Sequence, residues 1–285
     1  MNKIAVIGMG LMGQPMTLRL ASAKIPVMAY NRTPRLLESL IEANVPVTNN
    51  IQDAVKFADV LILTLADFNA IQEVIFKPEI DLTGKTIIQM GTIAPDESQI
   101  LLQQTAKQGG EYLEAPVLGS IPEAKTGELL VMVGATSHQF QQWEGLLKNY
   151  SQQPQLIGEV GKAAALKLAL NQMIAGLTAT FALSLTFLQQ QEVNIDTFMD
   201  ILRGSALYAP TFDKKLSRMI SHNFDNPNFP TKHLLKDIDL FLKTAQNLNL
   251  NTQNLEGIRS IVLDSIKQGW ENSDYSALIS AINNG

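Results

Sequence analysis

One stretch, residues 162–191, constrains this chain more than any other: KAAALKLALNQMIAGLTATFALSLTFLQQQ. It holds no proline and a single glycine, is rich in Ala and Leu, and carries no charge between Leu168 and Leu188. Helix propensity is therefore high along its whole length, and a helix from Ala163 to Gln190 runs about 42 Å. A helix apolar around nearly its full circumference must be buried, in a protein core or in a bilayer. Asn171, Gln172, Thr178, Thr180, Ser184 and Thr186 are scattered along it, and no second segment of this kind follows. That favours the central helix of an all-helical domain over a membrane span. Lys167 stands near the start, with Asn171 one turn on and so on the same face. A lysine on so apolar a helix either snorkels out to solvent or serves a function.

At 285 residues the chain suits two domains. Hydrophobic residues make up 46% and charged ones 17%, enough for a sizeable core and unlike a disordered chain. A net charge of −5 makes no electrostatic case for nucleic acid or an anionic membrane as partner. The absence of cysteine removes disulfides, thiolate metal sites and thiol nucleophiles. His138, His222 and His233 are far apart in sequence and lack ligand spacing, so no metal is expected. The first apolar run begins at Ile4 and passes straight into a glycine turn, which leaves no room for a signal peptide. A cytoplasmic protein is the expectation.

The start of the chain reads as a βαβ unit. A short buried strand from Ile4 runs into Gly8-Met9-Gly10-Leu11-Met12-Gly13, then a helical pattern, then a second strand, Val27-Met-Ala-Tyr-Asn. Gly8 permits the tight turn, Gly10 lets a pyrophosphate approach the backbone, and Gly13 lets helix and strand pack closely. The phosphates would rest on the free N–H groups of the helix start. A glycine motif alone is weak, but this one has its strand, helix and second strand in place. The end of the second strand selects the cofactor. A carboxylate there would bind the ribose 2′-hydroxyl of NAD. Here stand Asn31, Arg32 and Thr33. Arg32 can pair with a 2′-phosphate and the other two can add neutral bonds, which points to NADP(H). The alternative is a solvated loop arginine.

The alternation continues with helices over 34–43 and 51–57 and strands over 60–65, 86–90, 112–117 and 129–134. It predicts a mostly parallel, doubly wound Rossmann sheet. Ligands of such sheets bind beyond the carboxyl ends of the strands. Leu65, Ala66, Thr92 and the loop Pro116-Val117-Leu118-Gly119 fall there. After Gly158 the strands stop and helices follow: the long one, then 195–203, 211–220, 231–248, 253–268 and a short one from 277. The expected boundary lies near Gly161, with an α/β cofactor domain over 1–161 and an all-α domain over 162–285 for substrate and oligomerisation.

Four motifs in order resemble the β-hydroxyacid dehydrogenase family, which includes 3-hydroxyisobutyrate dehydrogenase and the glyoxylate/succinic semialdehyde reductases. They are Gly8-Met-Gly-Leu-Met-Gly-Gln-Pro-Met16, Glu114-Ala-Pro-Val-Leu-Gly119, Gly158-Glu-Val-Gly161 with Lys167 and Asn171, and Phe229-Pro-Thr-Lys-His-Leu-Leu-Lys236-Asp237. The likeness covers essentially the whole chain and is nearest the glyoxylate/succinic semialdehyde reductases, through Asn31-Arg32-Thr33, Glu114-Ala-Pro-Val, Gly119-Ser120 and the Lys-His…Lys-Asp run. The resemblance implies a general acid/base at Lys167, with Asn171 placing the substrate or the lysine. It implies a contact from Thr92 near the nicotinamide and closure of Lys236 over the cofactor. It also implies a substrate loop at Pro116, Val117, Leu118, Gly119 and Ser120, a homodimer or homotetramer through the helical domain, and a small aldehyde or hydroxy acid as substrate. The chemistry suits the residues: an ammonium at Lys167 can stabilise a developing alkoxide and then protonate it, and an apolar cleft should lower its pKa. One departure stands out. The family usually places Ser where Leu118 stands, and leucine cannot hydrogen-bond a substrate carboxylate. A 3-hydroxy acid oxidised by the same residues is the alternative reaction, and a non-catalytic NADP-binding scaffold is disfavoured by the presence of both Lys167 and Asn171.

Overall fold

The computed structural model describes residues 2–33, 38–77 and 80–282. The chain divides into two compact units, Met1–Lys167 and Leu168–Gly285. The first contains β1 (Ile4–Ile7), α1 (Gly13–Ser22), β2 (Val27–Tyr30), α2 (Glu38–Glu42), β3 (Val47–Thr48), α3 (Ile51–Phe57) and β4 (Val60–Leu63). It continues through α4 (Phe68–Ile71), β5 (Thr86–Gln89), α5 (Pro95–Lys107), β6 (Glu111–Glu114), β7 (Val117–Leu118), α6 (Ile121–Thr126), β8 (Leu130–Gly134), α7 (Ser137–Leu147) and β9 (Gln155–Gly158). The strands form one sheet in the order β3-β2-β1-β4-β5-β6-β8-β7, with β9 beside β8. Neighbours from β3 to β6 run parallel, whereas β8 is antiparallel to both β6 and β7.

Strands β1 and β4 are apolar at every position because both faces are covered. On β1, Ile4 and Val6 join one core with Met16 and Leu20 of α1 and Trp143 and Leu147 of α7. Ala5 and Ile7 join the other, with Ala54 and Val55 of α3 and Leu101 of α5. Successive side chains point to opposite faces of a strand, so the same four residues serve two layers of helices. That is the expected doubly wound α/β architecture.

Several expectations are corrected in detail. The strand expected over 112–117 breaks into β6 and β7. Pro116 has no N–H for a ladder, and its carbonyl instead accepts from Met132 N of β8 at 3.0 Å. This turns the chain from the parallel to the antiparallel part of the sheet. Of the helix expected over 34–43, Glu38–Glu42 is helical, and residues 34–37 lie outside the described residues. The helices α4 to α7 and the strands β3 and β9 were not anticipated.

Helix α8 (Lys162–Gln190) opens in the first unit and continues into the second. The second unit adds α9 (Ile195–Arg203), α10 (Pro210–Ser221), α11 (Thr231–Asn247), α12 (Gln253–Ser265) and a 3₁₀ turn, Tyr275–Ala281. Its core holds Phe181 of α8 stacked on Phe212 of α10 at 4.7 Å, and Phe224 edge-on to Trp270 at 5.2 Å. Lys215 of α10 donates to both carboxylate oxygens of the buried Asp274 at 2.8 Å and lies 4.1 Å over the Tyr275 ring. This fastens α10 to the C-terminal turn.

The expectation that α8 is buried all round is also corrected. Ala175, Thr178, Ala182 and Leu185 are buried, a spacing of three and four that marks one face. Met173, Leu183 and Phe187 are 53%, 59% and 61% exposed on another. The helix is long and apolar enough to cross a membrane by length and composition, yet it carries a buried stripe that includes Lys167 and Asn171.

Candidate active site

In the first unit the glycine motif sits between the end of β1 and the start of α1. Gly8 has φ of +107°, a backbone region that glycine alone enters freely. A Cβ on Gly13 would run into the Gly8 carbonyl and approach Thr64 Oγ1 to 2.7 Å, so the helix can meet the strand this closely only without one. At Gly10 a Cβ would meet nothing within 4 Å. Packing therefore does not require this glycine, and the open space suits a ligand approaching the backbone. At the start of α1, Pro15 carries no N–H, and the amides of Gln14 and Met16 donate to the carbonyls of Gly10 and Met12 at 3.3 and 3.1 Å. No side chain caps the helix start and no acidic residue stands in the first turn. An open turn without an acidic residue is what the diphosphate of a dinucleotide requires.

The loop after β2 is built around Asn31. Its Oδ1 accepts from Met9 N at 3.1 Å and its Nδ2 donates to Thr33 O at 2.9 Å. Asn31 thus joins the glycine loop to the specificity loop, a structural task not foreseen from sequence. Thr33 is exposed. The Arg32 side chain is 81% exposed, with its guanidinium 3.9 Å from Glu73. A pair this open and this long contributes little, so Arg32 can turn to an anion. Leu65 follows β4 and packs against the Gly8 turn, while Ala66 beyond it is exposed. Thr92 follows the turn at Gly91, where a Cβ would stand 2.6 Å from Leu65 O. Gln14, also missed in the sequence, donates from Nε2 to Met9 O at 3.0 Å.

Pro116 and Val117 are buried, Leu118 is half-buried and Gly119 is exposed, with φ of +127°. Ser120 opens α6. Its amide and its hydroxyl both donate to Glu123 Oε2, at 2.8 and 3.0 Å. Its hydroxyl is therefore held in a capping box.

Glu114, 1% exposed at the end of β6, sends Oε1 to the start of α8, where the amides of Gly161, Ala163 and Ala164 donate to it at 2.8, 2.9 and 3.1 Å. Ser98 Oγ donates to its other oxygen and also meets Tyr112 Oη at 2.8 Å. Burial pushes the Glu114 carboxyl up from its ordinary value, against the bonds from Ser98 and the three amides. One and a half turns into this helix is Lys167, 9% exposed.

In the second unit Asn171 is 3% exposed and donates from Nδ2 to Asp237 Oδ2 at 2.6 Å. A carboxylate only accepts, so this bond fixes which way the amide points. Asn171 Oδ1 is left buried and without a hydrogen-bond partner. An acceptor in that state costs about 1–3 kcal/mol, and a substrate hydroxyl or an ammonium would satisfy it. Lys236 Nζ lies 3.1 Å from Asp237 Oδ1. Asp237, itself 3% exposed, therefore joins Asn171 to Lys236. The sequence signal for it was available: with Leu234 and Ile238, Asp237 falls on the inward face of α11, where a charge requires partners. Among the described residues no group of three or more His, Asp or Glu could hold a metal ion.

Comparison with known proteins places both units. Residues 3–161 match the NAD-binding domain model of 6-phosphogluconate dehydrogenase. Residues 161–282 match the NAD-binding model of NADP-dependent 3-hydroxyisobutyrate dehydrogenase. The chain is 30% identical to an uncharacterised oxidoreductase of Bacillus subtilis, YfjR, covering 98% of this chain and 99% of the relative. It is 29% identical to 2-hydroxy-3-oxopropionate reductase of Escherichia coli, over 98% and 97% of the two chains. The crystal structure of a 3-hydroxyisobutyrate dehydrogenase from Salmonella typhimurium superposes with a TM-score of 0.87 at 18% identity, covering 98% and 99%. That likeness speaks for the fold.

Proposed function

The chain belongs to the β-hydroxyacid dehydrogenase family of NAD(P)-dependent oxidoreductases, and from that premise we propose that it is an NADPH-dependent reductase of a small aldehyde acid, succinic semialdehyde or glyoxylate. The observation that carries this reading is the buried polar pair on α8. Lys167 and Asn171 stand one turn apart on a helix that is otherwise apolar or neutral there, and Asn171 Oδ1 is an orphaned acceptor. A bound nicotinamide supplies the hydride to the carbonyl carbon. Lys167 stabilises the oxygen as it becomes an alkoxide and protonates it. Asn171, oriented by Asp237, accepts from the Lys167 ammonium or from the hydroxyl of the product alcohol. Gly8 to Gly13 take the diphosphate, while Asn31, Arg32 and Thr33 take the 2′-phosphate. Leu65, Ala66 and Thr92 line the path to the nicotinamide, and Lys236 closes on the cofactor. Pro116 to Ser120 hold the substrate through loop amides. The aldehyde-acid substrate named for the Escherichia coli relative supports the substrate class. The family model over residues 161–282 favours a second reading, oxidation of a 3-hydroxy acid such as 3-hydroxyisobutyrate. A homodimer or homotetramer working in the cytoplasm completes the proposal.

Steady-state rates on a panel of aldehyde acids and hydroxy acids, each with NADPH and NADH, test it. A lost charge-assisted bond costs about 1.5–3 kcal/mol, so Arg32→Ala should raise the NADPH KM by roughly tenfold or more and leave NADH nearly unaffected. Equal KM values for the two cofactors in the unaltered enzyme would remove the NADPH assignment. Faster turnover of 3-hydroxy acids than of any aldehyde acid would favour the second reading.

A further inference from the structure

We infer that Glu114 is a positioning residue: fixed on β6, its carboxylate seizes the amino end of α8 and so sets where Lys167 stands. The inference rests on the role of Lys167 proposed above. Three of the backbone donors at the start of α8 converge on one carboxylate oxygen, Glu114 Oε1. Ala163 and Ala164 precede Lys167 by four and three residues, so the anchored turn lies directly beneath the lysine on the same face.

The arrangement is built from several sides. Ser98 holds the second oxygen of Glu114. On β8, Gly134 leaves the room the carboxylate occupies, since a Cβ there would run into its Oε1, Cγ and Cδ atoms. Gly161 enters the helix at φ of +100°, which aims its amide at the same oxygen. A helix start needs no such device for stability alone. A Ser or Asp at the cap satisfies the same amides beside water. Here the carboxylate is buried, against a desolvation penalty that raises its pKa. What the buried strand residue adds is a fixed link between the sheet and the first turn of α8. A misplacement of about 1 Å at a reacting group can cost on the order of a hundredfold in rate.

The test compares Glu114→Ala, Glu114→Gln and Ser98→Ala in the full-length enzyme. Glutamine keeps an acceptor at Oε1 and can give its amide to Ser98, so Glu114→Gln should retain at least about half of kcat. Glu114→Ala should lose about tenfold or more in kcat, with KM and NADPH affinity within about twofold. Ser98→Ala, which loosens the carboxylate without deleting it, should lose about threefold and keeps the inference testable if Glu114→Ala does not fold. In a Lys167→Ala background, Glu114→Ala should cost nothing further, because two residues acting as one unit are not additive. A folded Glu114→Ala or Ser98→Ala enzyme with unchanged kcat would overturn the inference. So would Glu114→Gln as slow as Glu114→Ala, or an additive loss in the double variant. Lys167→Ala at full activity would instead bring down the reading beneath it. Amide hydrogen exchange at residues 161–167 separates the two failures, because it reports the grip of Glu114 whatever Lys167 does.

Discussion

Lys167 carries the proposed chemistry, and its surroundings say what replacing it should do. It is nine-tenths buried on α8, and alanine is the best helix former, so Lys167→Ala should keep the fold by circular dichroism. The dinucleotide-binding elements β1, α1 and β2 are untouched, so NADPH affinity by fluorescence should survive. Turnover should fall by ~10²–10⁴, the usual worth of a positioned proton donor. Lys167→Arg should be nearly as damaging, since a guanidinium does not release its proton near neutral pH. A Lys167→Ala variant that kept more than about a tenth of kcat on a chemistry-limited substrate would point to Lys236 instead. Leu118 is the second decisive residue. The Ser120 hydroxyl nearby is already held by Glu123, so a hydroxyl at 118 would be new to the loop. Leu118→Ser should raise kcat/KM for carboxylate-bearing aldehydes by about tenfold, one charge-assisted bond, and leave uncharged short aldehydes nearly unchanged. Equal gains on both classes would show that Leu118 acts through volume alone.

At the scale of elements, the β1–α1 turn separates two kinds of glycine. Gly13 is demanded by packing, because its missing Cβ is where the Gly8 carbonyl lies. Gly10 is surrounded by open space. Forcing an extra carbon into packed backbone costs about 1–3 kcal/mol. Gly13→Ala should therefore lower the Tm of the cofactor-free protein by several degrees, at roughly 2–4 °C per kcal/mol for a chain of this size. Gly10→Ala should leave that Tm unchanged and weaken NADPH binding by about tenfold or more, since the methyl group would stand in the approach to the helix-start amides. Thermal melts with and without NADPH read both effects. Undiminished NADPH binding by Gly10→Ala would move the diphosphate away from this turn.

At the scale of the molecule, the exposed face of α8 is the feature that a single copy leaves unexplained. Met173, Leu183 and Phe187 share that face and are 53%, 59% and 61% exposed, and Ile201 of α9 is 69% exposed. Each large apolar side chain left in water forgoes roughly 1.5–3 kcal/mol of burial. A second copy meeting this face would recover it. Light scattering at micromolar concentration should give a dimer or tetramer, and Leu183→Asp with Phe187→Asp should shift it to the monomer with the helical content intact. A monomeric unaltered protein, or a double variant that stays assembled, would place the subunit contact elsewhere.

The features legible in the sequence were those set by local rules. The glycine turn could be read because backbone sterics dictate where glycine must stand. The alternation could be read because strands buried on both faces are continuously apolar, and α8 because its length and composition admit little else. The two-residue β3 carries too short a pattern to show, and Pro116 split a strand that its neighbours alone would have continued. What only the tertiary structure decided were the partners of buried charge. Glu114 could be read from sequence as part of a loop motif, yet its task lies with amides 47 to 50 residues away. Asp237 could be read from sequence only as the last residue of the Lys-His…Lys-Asp run, yet it orients Asn171 from 66 residues away. A buried carboxylate must find donors, and the sequence alone shows that need. Which donors it finds depends on which backbone the fold brings within about 3 Å of it.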